Sequence, residues 1–165
     1  MNKKEVWLTC GIPGSGKSTW IREQLKPGSE WISRDNVRFS IIKVNEEYFS
    51  HEDEVFDTFI DYINQTLKNP DINTIYIDAT HLNKNSRYKV LSKINKKNIA
   101  QLNCICFTTP LDLCIERNNL RQGRERVPET TIRNMFKSYR IPSAEEGFNH
   151  IYTINENRII EEVTF

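Results

Sequence analysis

Gly11 to Thr19 read GIPGSGKST, a run that fits the pattern G-x-x-x-x-G-K-[ST] and could cradle the phosphates of a nucleoside triphosphate. The chemistry needs this spacing because a glycine-rich turn lets the backbone N–H groups of residues 14 to 18 point at the phosphates. The following helix then offers them its positive N-terminus. Gly14 and Gly16 tolerate the backbone angles and close approach that a β-carbon would block, and Ser15 and Thr19 belong to the same cradle. Lys17 can reach the β and γ oxygens as a point charge, and the Ser18 hydroxyl is placed to ligate a Mg²⁺ that bridges them. An apolar run precedes the loop and a helical pattern follows it, which argues against a glycine turn without function.

Three further groups of residues carry possible chemistry. In Ser33-Arg34-Asp35-Asn36-Val37-Arg38, Asp35 stands just past a short β-rich run, where an open α/β sheet places its ligands. Its carboxylate could accept the proton of an attacking hydroxyl, with Arg38 on the same side of a helical turn; alternatively, Ser33 or Asp35 caps a helix. Asp78 ends the run TIYID, the placement of an acid that holds Mg²⁺ directly or through a water. The polar stretch Thr80 to Asn83 follows at the same edge, and Arg34 and Asn83 join the candidates for binding substrate. Arg117, Arg121, Arg124 and Arg126 run up to Val127-Pro128 through Gly123, and together they suggest a mobile lid over about residues 117–128. Guanidinium groups closing over a transferring phosphoryl would stabilise its oxygens, and the same groups could instead contact nucleic acid.

These groups need an alternating scaffold to bring them together, and the periodicity supplies one. Strands are predicted over 5–10, 31–33, 74–78, 102–107 and 150–154, with a last strand near 159–165 at the sheet edge. Helices are predicted over 17–25, 51–67, 87–95, 111–119 and 129–138, the last with Ile132 and Phe136 on its buried side. Together they predict an α/β protein with a mostly parallel five-stranded sheet flanked by helices. At 165 residues and 38% hydrophobic content the chain can bury one core, which predicts a single domain over 1–165. No run approaches the roughly 20 apolar residues of a membrane helix, and the start lacks a leader pattern, so a cytoplasmic protein with no membrane partner is expected.

The net charge of +1 hides segregation. Residues 45–61 carry seven acids and no Lys or Arg, and residues 84–97 carry six basic residues and no acid; both read as solvated helix faces. Cys10, Cys104, Cys106 and Cys114 lie on apolar runs without metal-binding spacing and read as buried, reduced thiols.

In order, GIPGSGKSTW, SRDNVR, IDATHLNKNSR and RNNLRQGRERVPETTIRNMFKSYR resemble the kinase module of phage-type polynucleotide kinases and related stand-alone P-loop kinases, over roughly residues 5–154. The resemblance implies a P-loop kinase fold and transfer of the γ-phosphoryl of ATP to the 5′-hydroxyl of a DNA or RNA end. It implies that Lys17 and Ser18 handle phosphates and Mg²⁺, that Asp35 is the general base, and that Arg38 contacts the substrate phosphate beside the accepting nucleoside. It also implies that Arg121 contacts the donor phosphates from the lid, with Arg124 and Arg126 as contenders for that contact and Arg117 as a further candidate for binding the nucleotide, and that Val127 stacks on the terminal base. No D-x-D-x-T phosphatase motif occurs, so no 3′-phosphatase activity is expected. A small-molecule hydroxyl is the alternative acceptor, and a nucleotide-dependent binding module without catalysis is the third reading.

Overall fold

In the computed structural model, which describes residues 2–165, the alternating pattern becomes a six-stranded sheet with helices against it. The strands are β1 (Lys4–Cys10), β2 (Ser29–Ser33), β3 (Thr74–Asp78), β4 (Ile99–Phe107), β5 (His150–Ile154) and β6 (Ile160–Glu162). The helices are α1 (Lys17–Gln24), α2 (Arg34–Ile41), α3 (Glu52–Lys68), α4 (Lys84–Leu91), α5 (Leu111–Asn119) and α6 (Glu129–Ser138). The spatial order is β2-β3-β1-β4-β5-β6. Five strands are parallel, as expected, and β6 adds a short antiparallel edge through Tyr152↔Glu162, Thr153↔Glu161 and Ile154↔Ile160.

Side chains alternate across β1, so one strand feeds two cores. Val6, Leu8 and Cys10 join Phe59, Ile63 and Leu67 of α3 and Val90 and Leu91 of α4. Trp7 points the other way, to Trp20 and Ile21 of α1, with Tyr76 and Phe107 from the neighbouring strands. The Trp20 and Tyr76 rings meet edge to face at 5.8 Å. Ile12, Cys114, Ile115, Val127 and Ile132 form a third cluster beneath the glycine-rich turn. Burying each such side chain contributes about 1.5–3 kcal/mol.

Three local expectations need correction or refinement. Helix α4 starts at Lys84 rather than Arg87, because Asn83 caps it reciprocally with Ser86 at 3.0 and 3.1 Å. Phe136 faces solvent, and α6 turns Ile132 and Met135 inward instead. Arg87, read as part of a solvated basic face, is 1% exposed; it donates to Glu146 from Nε at 2.7 Å and from one terminal nitrogen at 3.1 Å, and its other terminal nitrogen holds the carbonyls of His81 and Arg140. The lysines of that run are exposed, as expected. All four cysteines are free and buried, with Cys10 and Cys104 sulfurs 3.3 Å apart. Among the described residues, no helix is long and apolar enough to cross a membrane.

Candidate active site

The carboxyl ends of β2, β3 and β1 bring Ser33, Asp78 and Thr9 into one row, through the pairs Ser33↔Asp78 and Thr9↔Asp78. Beyond β1 the chain turns through Gly14 (φ 81°) and Gly16 (φ 103°), and α1 begins at Lys17. A Cβ on Gly14 would lie 2.4 Å from the Cys114 carbonyl oxygen, so only glycine fits there. Thr109 Oγ1 donates to Ser15 O at 2.8 Å and Arg117 to Gly14 O at 3.3 Å, which fastens the turn from behind.

Lys17 Nζ donates to the carbonyls of Gly11 and Ile12 at 2.8 and 3.1 Å. Burial pushes its pKa down, although Asp78 and Asp35 pull it back up. Two neutral carbonyls do not cancel the charge, so the turn holds a cation suited to an anionic group. Asp78 is 6% exposed, and burial raises its pKa against the opposing pull of Lys17 and Trp31. It accepts from Trp31 Nε1 at 3.1 Å and Thr9 Oγ1 at 3.3 Å, with Ser18 Oγ at 3.5 Å. Ser18 and Asp78 thus form a pair of hard oxygen donors at the mouth of the turn, a set that fits Mg²⁺. His81, behind this row, takes a left-handed backbone (φ 42°) and lays Nδ1 2.7 Å from Thr9 O.

On the other side stands α2, whose N-cap is Ser33: its Oγ accepts from Asn36 N at 3.2 Å. Asp35 is therefore free of the capping task, and its side chain is 56% exposed in the first turn. Arg38 is buried and fixed by Glu52 of α3, donating from Nε at 2.8 Å and from its NH2 group at 3.1 Å, a two-pronged pair. Arg34 reaches the same carboxylate at 3.2 Å. The remaining guanidinium nitrogen of Arg38 donates to Asp35 and to the Tyr48 hydroxyl, and that hydroxyl in turn donates to Asp35 Oδ1. Trp31, Tyr48 and Glu52 carried no site signal, because a tryptophan in a strand, an aromatic residue in a connection and an acid in an acidic run look like ordinary scaffold and surface. Glu52 belongs to the run read as solvated, yet two arginines neutralise it.

One cavity of about 420 Å³ joins the two sides, and Lys17, Ser18, Arg34, Asp35, Arg38, Asp78, Arg121 and Val127 all line it. Gly14, Ser15, Gly16, Thr19, Asn83, Arg117 and Arg124 lie outside its lining. Asn83 is occupied as the α4 cap. Val127 is buried against Ile12 and Ile132, its backbone held by Asn118 at 2.6 and 3.0 Å. Arg124 crosses to α2, lies 4.6 Å over the Phe39 ring and donates to the carbonyls of Phe39 and Ile42, both at 3.3 Å.

A parallel sheet with a glycine-rich turn after its central strand, a buried acid on the adjacent strand and an arginine-bearing connection beyond is the architecture of P-loop kinases. Residues 6–142 match the family described as an AAA domain, and the chain belongs to that family. Nucleotide binding follows from family and fold. Among solved structures, the chain is similar to one from the Pnkp1/Rnl/Hen1 RNA repair complex (TM-score 0.68, 17% identity, 84% of this chain and 44% of that one). It therefore spans less than half of that relative's length. A fungal RNA kinase (TM-score 0.65, 16% identity, 93% and 75%) and a gluconokinase from Sinorhizobium meliloti 1021 (TM-score 0.58, 16% identity, 94% and 84%) share the fold.

Proposed function

We propose that this chain is an ATP-dependent polynucleotide 5′-hydroxyl kinase, built as one domain. The observation that carries the reading is the single cavity in which Asp35 and Arg38 face Lys17, Ser18 and Asp78. Lys17 and the backbone of the glycine-rich turn hold the β- and γ-phosphates of ATP, and Arg121 meets them from the connection after α5. Ser18 and Asp78 would hold Mg²⁺, which when bound neutralises charge on the phosphates. Asp35 accepts the proton of the acceptor hydroxyl as its oxygen attacks the γ-phosphorus, the bond to the β-phosphate breaks, and ADP leaves. Arg38, already oriented by Glu52, contacts the phosphate next to the accepting nucleoside, and Val127 offers its apolar surface to the terminal base. Arg117 acts from behind the turn, and Arg124 ties the lid to α2.

The likeness to a chain of an RNA repair complex and to an RNA kinase supports nucleic-acid ends as acceptors. Incubation with γ-labelled ATP and 5′-hydroxyl DNA or RNA oligonucleotides tests this: labelled 5′ ends are expected, and absence of label on both polymers with normal ATP binding rejects it. A second reading, a kinase of a small hydroxyl compound, is favoured by the likeness to gluconokinase over 94% of this chain. Length dependence separates the two, since a small-molecule kinase would phosphorylate a mononucleoside or sugar as fast as an oligomer.

A further inference from the structure

The side chain touching Asp35 that the proposed reaction does not use is Tyr48. Its hydroxyl donates to Asp35 Oδ1 and accepts from Arg38 at 2.8 Å, so it makes the same hydrogen bond to that carboxylate that an acceptor hydroxyl needs. Its ring lies under the Arg38 guanidinium at 4.2 Å and meets Phe49 edge to face at 4.6 Å. The connection that carries it, residues 42–51, closes its own turns by bonds from Glu46 N to Lys43 O and from Ser50 N to Glu47 O. Val44 and Phe49 on it are exposed. Tyr48 is thus a seated side chain on a surface connection, in a hydrogen-bond position on Oδ1 that an acceptor hydroxyl would also fit.

We infer that Tyr48 is a placeholder for the acceptor hydroxyl on Oδ1 of Asp35, which keeps that one oxygen from water until the acceptor displaces it, and so favours the acceptor over water there. The inference rests on the reading of Asp35 as the base. The reaction it suppresses is hydrolysis: a water oxygen attacks the γ-phosphorus, its proton passes to Asp35, the bond to the β-phosphate breaks, and ADP and phosphate are released. A kinase whose proton-accepting oxygen is open to solvent loses ATP this way, because water is present at high concentration and needs no docking. With the phenol on Oδ1, that oxygen is closed to water. The docking acceptor brings its own contacts to Arg38 and the lid, and these repay the displacement.

The test compares the intact protein with Tyr48→Phe, which keeps the ring and its stacking but removes the hydroxyl. ATP hydrolysis without acceptor is expected to rise on the order of tenfold, the weight of one hydrogen bond to a charged group, while KM for a 5′-hydroxyl oligonucleotide falls. Phe49→Ala, which removes the ring backing Tyr48, is expected to move hydrolysis in the same direction by less. Thermal melting of both variants checks folding. Hydrolysis unchanged or lowered in folded Tyr48→Phe overturns the inference. The hydrolysis measurement needs no acceptor, so it stands even if oligonucleotides are not the substrate. If Asp35→Asn leaves the hydrolysis of Tyr48→Phe at its raised level, the base reading itself fails, and this inference with it.

Discussion

The two walls of the cavity are built by different means. The wall on β1, β3 and α1 is backbone and buried charge: Gly14 cannot be anything else, Lys17 is held by two carbonyls, and Asp78 is 6% exposed. The wall on α2 and α3 is side chains on a helix and a surface connection, with Asp35 more than half exposed and oriented by Arg38, Glu52 and Tyr48. A fixed backbone wall suits a ligand whose phosphates are always alike, and an adjustable side-chain wall suits acceptors that differ among relatives. A fungal RNA kinase and a gluconokinase each share this fold with the chain, at 16% identity to it.

Substitutions on the two walls should therefore separate. The largest effect is expected from Lys17→Ala, which should lower transfer by about a hundred- to a thousandfold and weaken ATP binding, measured by labelled-phosphate transfer and by nucleotide titration. Near-normal ATP binding would break the comparison, because the proposed reading has Lys17 hold the phosphates. Gly14→Ala should cost about 1–3 kcal/mol of stability by denaturant unfolding, since φ is 81° and the new methyl meets the Cys114 carbonyl. Arg38→Ala should raise the acceptor KM about tenfold while leaving ATP affinity unchanged. A fall in ATP affinity as well would mean that the walls are not independent.

The smallest effect concerns pH. Burial lowers the pKa of His81. The unfolded chain then takes up a proton near pH 6.5 that the folded chain refuses, so stability is complete above that pH and declines as pH falls below it, by up to about 1.4 kcal/mol per unit. The difference in melting temperature between pH 7.5 and 5.5 should shrink in His81→Asn, a residue that tolerates the left-handed backbone. An unchanged difference would remove His81 as its source.

The buried wall was the more legible in the sequence. GIPGSGKST and TIYID announce themselves because backbone geometry and burial dictate residue type at fixed spacing. Five parallel strands were readable for the same reason, as apolar runs of the right length. Across the cavity, Asp35 and Arg38 were visible only as a motif, and Tyr48 and Glu52 not at all, because their meaning depends on partners 13 and 14 residues away across a loop. Arg87 was misread for a similar reason: its carboxylate partner Glu146 is 59 residues distant. Asn83, a candidate for binding substrate, caps α4 through a pairing with Ser86 that departs from the usual Ser/Thr and Glu pattern, and so gave no helix-start signal.

The central claim is that Asp35 accepts the proton of a hydroxyl docked opposite the nucleotide. Its most direct test is Asp35→Asn, assayed with γ-labelled ATP and a 5′-hydroxyl oligonucleotide alongside ATP titration. Retained ATP affinity with transfer reduced by roughly a hundredfold or more is predicted. Near-normal transfer in the folded variant would contradict the account.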